Sequence, residues 1–193
     1  LAPSTTLANL SATDSSIGVQ LASMTGVSTS SPWTFDTSVM ADISNNNTSL
    51  YLTNNNKLKV TGRTRTLDGS AYGVDIASGN TAVVLEDLDV SAPFVSGAGS
   101  DYGVRVRATG PALKNITANR RSYGVFADNG VAIDTLTADF CLTGAYVSNA
   151  GASTLKDLTL TNAQAYGLRL LGAGPFTVDA SVLKSVAGSA TSI

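Results

Sequence analysis

Two short phrases repeat along this sequence, and their spacing constrains the fold more than any other feature. The first phrase has the order apolar, any, polar, apolar, polar, apolar, and its copies begin at Leu7, Met40, Leu85, Leu113, Ile133 and Leu155. The second phrase is Tyr-Gly-Val or a variant of it, and its copies begin at Ile17, Leu50, Tyr72, Tyr102, Tyr123, Ala145 and Tyr166. The later copies recur about every 21 to 22 residues, and a period of that size is typical of a solenoid.

The alternation within each phrase indicates β-strands. Tyr102, Val104 and Val106 share one parity, so we expect all three side chains to face the core and the residues between them to face solvent. One turn alone has too little core to fold, whereas stacked turns pair every strand with its copies above and below. An antiparallel sandwich would instead need hairpin turns every 8 to 12 residues or so. The sequence therefore predicts an all-β, single-stranded right-handed parallel β-helix of about eight turns.

The repeat reaches nearly both ends, so residues 1–193 are predicted to form one domain, either an excerpt of a longer chain or a stacking module. Surplus residues predict inserted loops near residues 24–37 and 91–101. Arg63 and Arg65 stand where apolar residues are expected, so the pattern leaves the register of residues 58–71 open. It also leaves open the register of residues 176–193.

Stacking the second phrase predicts columns of equivalent residues. The interior file would contain Val74, Val104, Val125, Val147 and Leu168. The next residue along would form an outward column of Gln20, Thr53, Asp75, Arg105, Phe126, Ser148 and Arg169. In this register Asp75 neighbours Arg105, and Arg107 neighbours Asp128. The phrase glycines form a third column, interrupted by Tyr51 and Tyr146, which would project from it.

The third position of the first phrase is often Asn or Asp, as at Asn9, Asp42, Asp87, Asn115 and Asp157. Asn and Asp tolerate tight backbone geometry, so we interpret the column as a corner between two sheets. The alternative is a row of calcium ligands, but calcium needs six to eight oxygens converging on one point, which a linear column does not supply. No metal site is predicted.

Charge and composition exclude several classes of function. The chain has 12 basic and 14 acidic residues and no histidine, so it lacks the basic footprint of a nucleic-acid-binding protein. No apolar run is long enough to span a bilayer. The single cysteine, Cys141, is interpreted as a small buried hydrophobe, and no nucleophile elbow or phosphate loop is present. The sequence predicts no cofactor and no catalytic residue.

These phrases resemble those of the right-handed parallel β-helix proteins, the pectin lyase-like superfamily that includes pectate lyases, phage tailspikes and autotransporter passenger domains. The resemblance covers nearly the whole chain, although no lyase or hydrolase motif is matched. In enzymes of that superfamily, acidic and basic residues on outward positions of one sheet bind and cleave acidic polysaccharide in a surface groove. The resemblance places Asp75, Arg105, Arg107 and Asp128 at the matching positions.

Both charges and aromatic rings have a structural and a functional interpretation. Opposed charges on neighbouring strands are most often solvated ladder pairs. Asp75 and Asp128 would lie about 9.6 Å apart, just beyond the spacing of glycosidase carboxylates. Trp33, in the first predicted loop, could stack on a sugar ring or cover the core. The remaining candidates for a glycan groove or interaction face are three aromatic residues predicted to point outward, Tyr51, Phe126 and Tyr146.

We therefore predict a structural or adhesive rod of an extracellular, cell-surface or filament-forming protein. The alternative is a protein that binds or cleaves polysaccharide, and the sequence leaves enzymatic activity open while favouring its absence. An uncapped solenoid exposes unpaired strand edges. The predicted partners are therefore other copies stacked end to end, the rest of a longer chain, or a glycan.

Overall fold

The computed structural model describes residues 9–63, 66–94, 101–148, 151–172, 174–179 and 183–187, the last range by its backbone alone. These ranges contain a 3-10 helix at Thr37–Val39 and seventeen β-strands. The strands are β1 (Leu10–Ser11), β2 (Ile17–Ala22), β3 (Trp33–Asp36), β4 (Met40–Asp42), β5 (Thr48–Thr53), β6 (Leu58–Thr61), β7 (Tyr72–Ile76), β8 (Val84–Asp89), β9 (Tyr102–Val106), β10 (Ala112–Thr117), β11 (Tyr123–Ala127), β12 (Ala132–Asp139), β13 (Thr143–Ser148), β14 (Ser153–Thr161), β15 (Tyr166–Leu171), β16 (Phe176–Val178) and β17 (Leu183–Ala187).

The chain is a parallel β-solenoid, as predicted. One sheet has the strand order β15-β13-β11-β9-β7-β5-β2, and we call it the tyrosine sheet. The other has the order β16-β14-β12-β10-β8-β6-β3, and we call it the leucine sheet. Every pair of named strands is parallel, because the chain crosses to the opposite sheet between successive strands of the same sheet. The short strands β1 and β4 form a separate parallel pair.

The solenoid has about six turns, fewer than the eight predicted from the repeat. The last two strands, β16 and β17, pair with different parts of the same strand, β14, so both lie beside one turn. The first predicted phrase begins at Leu7, outside the described residues.

The interior file runs through Val74, Val104 and Val125, as predicted, and continues to Ala145 and Leu168. The placement of Val147 in this file was wrong, because Val147 lies in the adjacent file beside Ala127. Both files are buried. The alignment of the phrases within this sequence used the wrong triplet of β13. Thr143-Gly-Ala, and not Ala145-Tyr-Val, corresponds to Tyr-Gly-Val.

Steric crowding in the glycine column explains that alignment. A Cβ atom added to Gly144 would lie 2.7 Å from the carbonyl oxygen of Gly167 and 3.0 Å from Leu160 Cδ2. A side chain therefore does not fit at this position, and the column runs through Ser49 and Gly144 rather than through Tyr51 and Tyr146. The predicted outward column changes in the same way: Tyr51 and Tyr146 occupy the places assigned to Thr53 and Ser148.

The leucine sheet carries a bulge in each first phrase. Leu113 and Ile116 are both buried although they are three residues apart, which simple alternation does not allow. Asn115, between them, has φ 51°, and the strand pairing skips this residue. Positive φ also occurs at the equivalent residues Asn9, Asp87, Thr135 and Asp157, but not at Asp42. The Asn and Asp positions therefore have the expected role in backbone geometry, but the predicted corner between two sheets was wrong, because Asn115 lies inside strand β10 of the leucine sheet.

The predicted loops differ in outcome. The first was wrong over Trp33–Asp36, which form strand β3 with Phe35 in the core. Apolar and polar residues alternate there, and β3 pairs with β6 over its whole length. Of the second predicted loop, residues 95–100 lie outside the described residues. The open register of residues 58–71 is settled over β6, where Val60 pairs with Leu85, and at Thr66, which bridges to Asp89, whereas residues 64–65 lie outside the described residues.

Candidate functional site

The outer face of the tyrosine sheet carries a row of stacked rings. Tyr72, Tyr102 and Tyr123 occupy equivalent positions on three neighbouring strands. Their ring centroids are 5.4 and 5.2 Å apart, and the rings are tilted by only 9° and 11°. The tyrosines are half-buried, and Tyr102 and Tyr123 contact outward-facing Phe126, so the prediction that Tyr102 shares the interior with Val104 was wrong. Gly103 takes the inward position beside Val104, and both are buried.

A second row of rings packs against the first. Phe126 and Tyr146 are stacked with centroids 4.6 Å apart and a tilt of 6°. Phe126 meets Tyr102 and Tyr123 edge to face at 5.3 and 5.1 Å. Such arrangements favour attraction between aromatic quadrupoles. We refer to these five residues as the aromatic strip: Tyr72, Tyr102, Tyr123, Phe126 and Tyr146.

Two arginines lie over the rings. The guanidinium carbon of Arg105 is 5.8 Å from the Tyr72 ring centroid and 5.5 Å from that of Tyr102, and its Nη1 donates to Tyr72 Oη at 3.1 Å. Arg169 lies 5.4 Å from the Tyr146 centroid and 4.9 Å from that of Tyr166. All four distances from a guanidinium carbon to a ring centroid are within the range of cation–π attraction. The strip therefore presents aromatic surface and positive charge together.

The four charged candidates form one cluster, but their ion pairs are crossed relative to the prediction. Asp75 is the strand partner of Arg105, as predicted. Arg107 nevertheless takes the Asp75 carboxylate with two bonds, Nη2 to Oδ2 at 2.6 Å and Nε to Oδ1 at 3.2 Å. Arg105 is 3.7 Å from Asp128. The pairs cross because the Arg105 guanidinium turns toward the tyrosine rings and leaves Asp75 to Arg107.

The Asp75 carboxylate has little access to solvent. The residue is 5% exposed, and both carboxylate oxygens accept from Arg107. Burial raises the pKa of Asp75, while the charges of Arg107 and Arg105 act in the opposite direction. A carboxylate held by two hydrogen bonds is poorly placed to take a proton from a substrate. The arrangement is thus better suited to binding by stacking and charge than to acid–base chemistry.

The remaining candidates lie at different distances from the cluster in the fold. Tyr51 is the strand partner of Asp75 and lies on the edge of the cluster away from the stacked rings. Trp33 is in β3 of the leucine sheet, where it is half-buried and packs against the core. The structure therefore does not bring Trp33 to the aromatic strip. Its position supports the interpretation that it covers the core.

Sequence reasoning missed three of the five strip residues, because strict alternation assigned Tyr72, Tyr102 and Tyr123 to the core. It also missed Tyr166 and the contact of Arg169 with the rings. The signal was nonetheless present, since each of these tyrosines directly precedes a column glycine. In each of these pairs the glycine is buried and the tyrosine before it is half-buried.

A buried arginine connects several turns beside the second predicted loop. Arg121 is 1% exposed and donates to the carbonyl oxygens of Val90, Gly69 and Leu67 at 2.8, 2.6 and 3.1 Å. Asp101 lies 3.7 Å from its guanidinium. Burial lowers the pKa of Arg121, and the Asp101 charge opposes that shift. Arg121 is thus a structural clamp whose donors satisfy carbonyls that the turns leave unpaired.

Comparisons with models of known protein families, with curated proteins and with solved structures give no match. The solenoid is therefore established by the strand pairing alone. Within the described ranges, no three His, Cys, Asp or Glu side chains are grouped so that they could hold a metal ion. The same ranges contain no helix long and apolar enough to cross a membrane.

Proposed function

We propose that this chain is a non-catalytic structural or adhesive rod of an extracellular, cell-surface or filament-forming protein. The observation that carries the proposal is the state of the charged cluster. Asp75, its most buried carboxylate, is held by Arg107, and Asp128 lies beside Arg105. What remains accessible on this face is a strip of half-exposed rings with guanidinium groups above them.

The rest of the molecule suits a rod. Successive turns bury one continuous apolar core, and strand pairs join each turn to the next along the whole stack. Repeats of this kind resist local bending because every strand within the stack is held on both sides. A stiff support with an aromatic and cationic face is the arrangement we expect of an adhesive surface module.

The test is binding without turnover. We expect the purified chain to bind a surface ligand, screened on a broad array of neutral and acidic glycans, and to release no product from any glycan bound. Tyr146→Ala and Arg169→Ala should reduce binding, because they remove a ring and the cation over it. Thr34→Ala, at an exposed position on β3 of the leucine sheet, is the control and should bind normally. Accumulation of cleaved polysaccharide that is lost in Asp75→Asn would contradict the non-catalytic role.

A second candidate function, the binding or cleavage of an acidic polysaccharide, is favoured by Arg169. This arginine is exposed, lies over the rings of Tyr146 and Tyr166, and has no ion-pair partner within 4.0 Å in the described part of the chain. A cation beside an aromatic platform can pair with a sugar carboxylate while the ring stacks on the sugar. Selective binding of uronic acid polymers over neutral glycans, weakened by Arg169→Ala, would support this candidate.

A further inference from the structure

Charged residues of alternating sign cross the outer face of the leucine sheet. They lie on the consecutive strands β8, β10, β12 and β14, and the strand pairing sets each directly beside the next. We call these four residues the charge ladder: Glu86, Lys114, Asp134 and Lys156. With neighbouring strands about 4.8 Å apart, the ladder is about 14 Å long.

The ladder side chains face outward and are largely open. Lys114, Asp134 and Lys156 are exposed, whereas the preceding residue on each strand is buried. None of these three has an ion-pair partner within 4.0 Å among the described residues. Glu86 is the exception, since it pairs with Lys59 on β6. Three of the four charges are therefore available to a partner.

The order of the signs makes the ladder complementary to itself in one orientation. Consider a two-fold axis that runs parallel to the strands and lies above the midpoint between Lys114 and Asp134. Rotation about it places the leucine sheet of a second copy face to face with that of the first, and the two solenoid axes are then antiparallel. This rotation brings Lys114 opposite the partner's Asp134, and Glu86 opposite the partner's Lys156. Each contact occurs twice, as in any isologous interface. All four ladder residues of both copies then face an opposite charge.

We propose that the charge ladder is a self-complementary interface through which two copies of this chain associate side by side in antiparallel orientation. The proposal concerns the sheet opposite the aromatic strip. It therefore stands or falls independently of the adhesive function, and the dimer would leave the strip of each copy uncovered.

The neighbouring columns allow two sheets to approach. The outward column beside the ladder contains Ala112, Ala132 and Thr154, whose side chains are short. A shallow hollow of about 160 Å³ lies between this column and the ladder. On the other side, the bulge column brings Asp87 opposite the partner's Asp157. Arg63 reaches Asn115 with Nη2 at 2.9 Å from its carbonyl oxygen, one strand from Asp87, and offsets that repulsion.

Other partners fit the ladder less well. A polyanion or a polycation would meet a repelling charge at every second strand, because the four ladder charges sum to zero. Two parallel copies in register would set Lys114 against Lys114 and Asp134 against Asp134. Parallel copies shifted by one turn would pair opposite charges but would leave an unmatched charge at each end and extend into an open assembly.

Sedimentation equilibrium of the 193-residue chain gives the first test. We expect a monomer–dimer equilibrium that weakens as salt is raised, since the screening length falls from about 10 Å at 0.1 M to about 3 Å at 1 M. Each exposed pair contributes a factor of roughly 1.4 to 5 to the association constant. Asp134→Lys turns two attractive contacts into two repulsive ones and should lower the constant between about fourfold and several hundredfold.

Charge exchange gives the decisive test. Asp134→Lys and Lys114→Asp should each be monomeric alone, but an equimolar mixture should form a heterodimer, because every ladder contact is again attractive. The double variant carrying both changes should also dimerise, although its neighbouring strands now carry like charges. Thermal unfolding of each variant checks that the exposed substitutions leave the fold intact. A monomer at all salt concentrations, an open polymer, or a mixture that fails to associate would overturn the proposal.

Discussion

At the scale of single residues, the positions that decide this structure are those where a side chain has no room. Gly103 is buried between neighbouring strands, and a Cβ there would lie 2.5 Å from the carbonyl oxygen of Gly124 and 2.9 Å from Ala118 Cβ. The next residue toward the N-terminus, Tyr102, is half-buried and lies in the aromatic strip. The crowded interior position and the stacked ring are thus neighbours on one strand.

Substitution of Gly103 by alanine should destabilise the solenoid by about 1 to 3 kcal/mol, the usual cost of overpacking a close interior contact. Urea unfolding would measure the change in the free energy of unfolding. Gly110→Asn is the matched control, because a Cβ at Gly110 meets no atom within 4 Å and asparagine tolerates its φ of 77°. Equal losses in the two variants would show that steric crowding is not the cause.

The thiol of Cys141 gives a prediction about pH. Cys141 is fully buried, its Sγ donates to the carbonyl oxygen of Ala118 at 3.1 Å, and burial raises its pKa from 9.0 to about 11. The folded state therefore keeps the proton longer than the unfolded state does. The contribution of this thiol to the free energy of unfolding is complete below pH 9. It falls by roughly 2 to 3 kcal/mol in total as the pH rises from about 9 to about 11.

Chemical denaturation from pH 8 to pH 11 would measure that loss, and Cys141→Ala is the control because it removes the thiol and leaves every other ionisable group in place. The alanine variant should lose less stability over the same interval. A thiol reagent should also modify the native protein only as fast as it unfolds, since the thiolate is the reactive form. Rapid labelling of the folded chain at neutral pH would contradict the assignment of Cys141 as an inert core residue.

At the scale of the strand, the bulge in each first phrase is the device that gives the leucine sheet its shape. The left-handed residue at Asn115 lets Leu113 and Ile116 both reach the core, and its Nδ2 donates to Asp87 Oδ1 on the neighbouring strand. Equivalent residues repeat the conformation from turn to turn. The column of Asn and Asp residues is therefore explained by the strand geometry and not by a bound ligand.

Asn115→Ala should cost about 1 to 2 kcal/mol, because alanine is strained at φ 51° and cannot replace the bond to Asp87. Asn115→Gly relieves the backbone strain while losing the same bond, so its cost should be smaller. Thermal or urea unfolding of both variants separates the two contributions. A glycine variant less stable than the alanine variant would contradict the role given to the left-handed conformation.

At the scale of the whole molecule, stability is shared between neighbouring turns. Strand β11 is paired on both sides, by β9 and β13, whereas β2 and β15 end the tyrosine sheet among the described strands. In such a one-dimensional stack, each turn is supported mainly by the turns that it touches. The central turns should therefore open less often than the terminal ones.

Native-state hydrogen exchange followed by mass spectrometry would test this distribution. We expect the slowest exchange in β9, β11 and β13 and progressively faster exchange toward β2 and β15, because opening from an end breaks only one set of neighbours. Leu168→Ala, in β15, should speed exchange mainly in the strands near it. Uniform exchange rates along the whole stack, unchanged in pattern by Leu168→Ala, would contradict the picture of loosely coupled turns.

The sequence by itself was enough to predict the class of fold, because a repeating phrase can bury its apolar residues only by stacking on its own copies. It also predicted that Asp75 and Arg105 are strand partners and that the Asn and Asp column has a role in backbone geometry, although it placed that column at a corner between two sheets. It did not determine which triplet of β13 aligns with Tyr-Gly-Val, because both Thr143-Gly-Ala and Ala145-Tyr-Val alternate correctly. The steric limit at Gly144 decides between them, and that limit exists only once the turns are stacked.

Only the tertiary structure decided the outward direction of the tyrosines and the crossed pairing of Arg105 and Arg107. These features depend on which atoms meet across neighbouring turns, and alternation within one strand carries no information about such contacts. The charge ladder also depends on tertiary structure. The sequence shows the sign of each charge, but only the register of the leucine sheet shows that the four charges lie side by side on one surface.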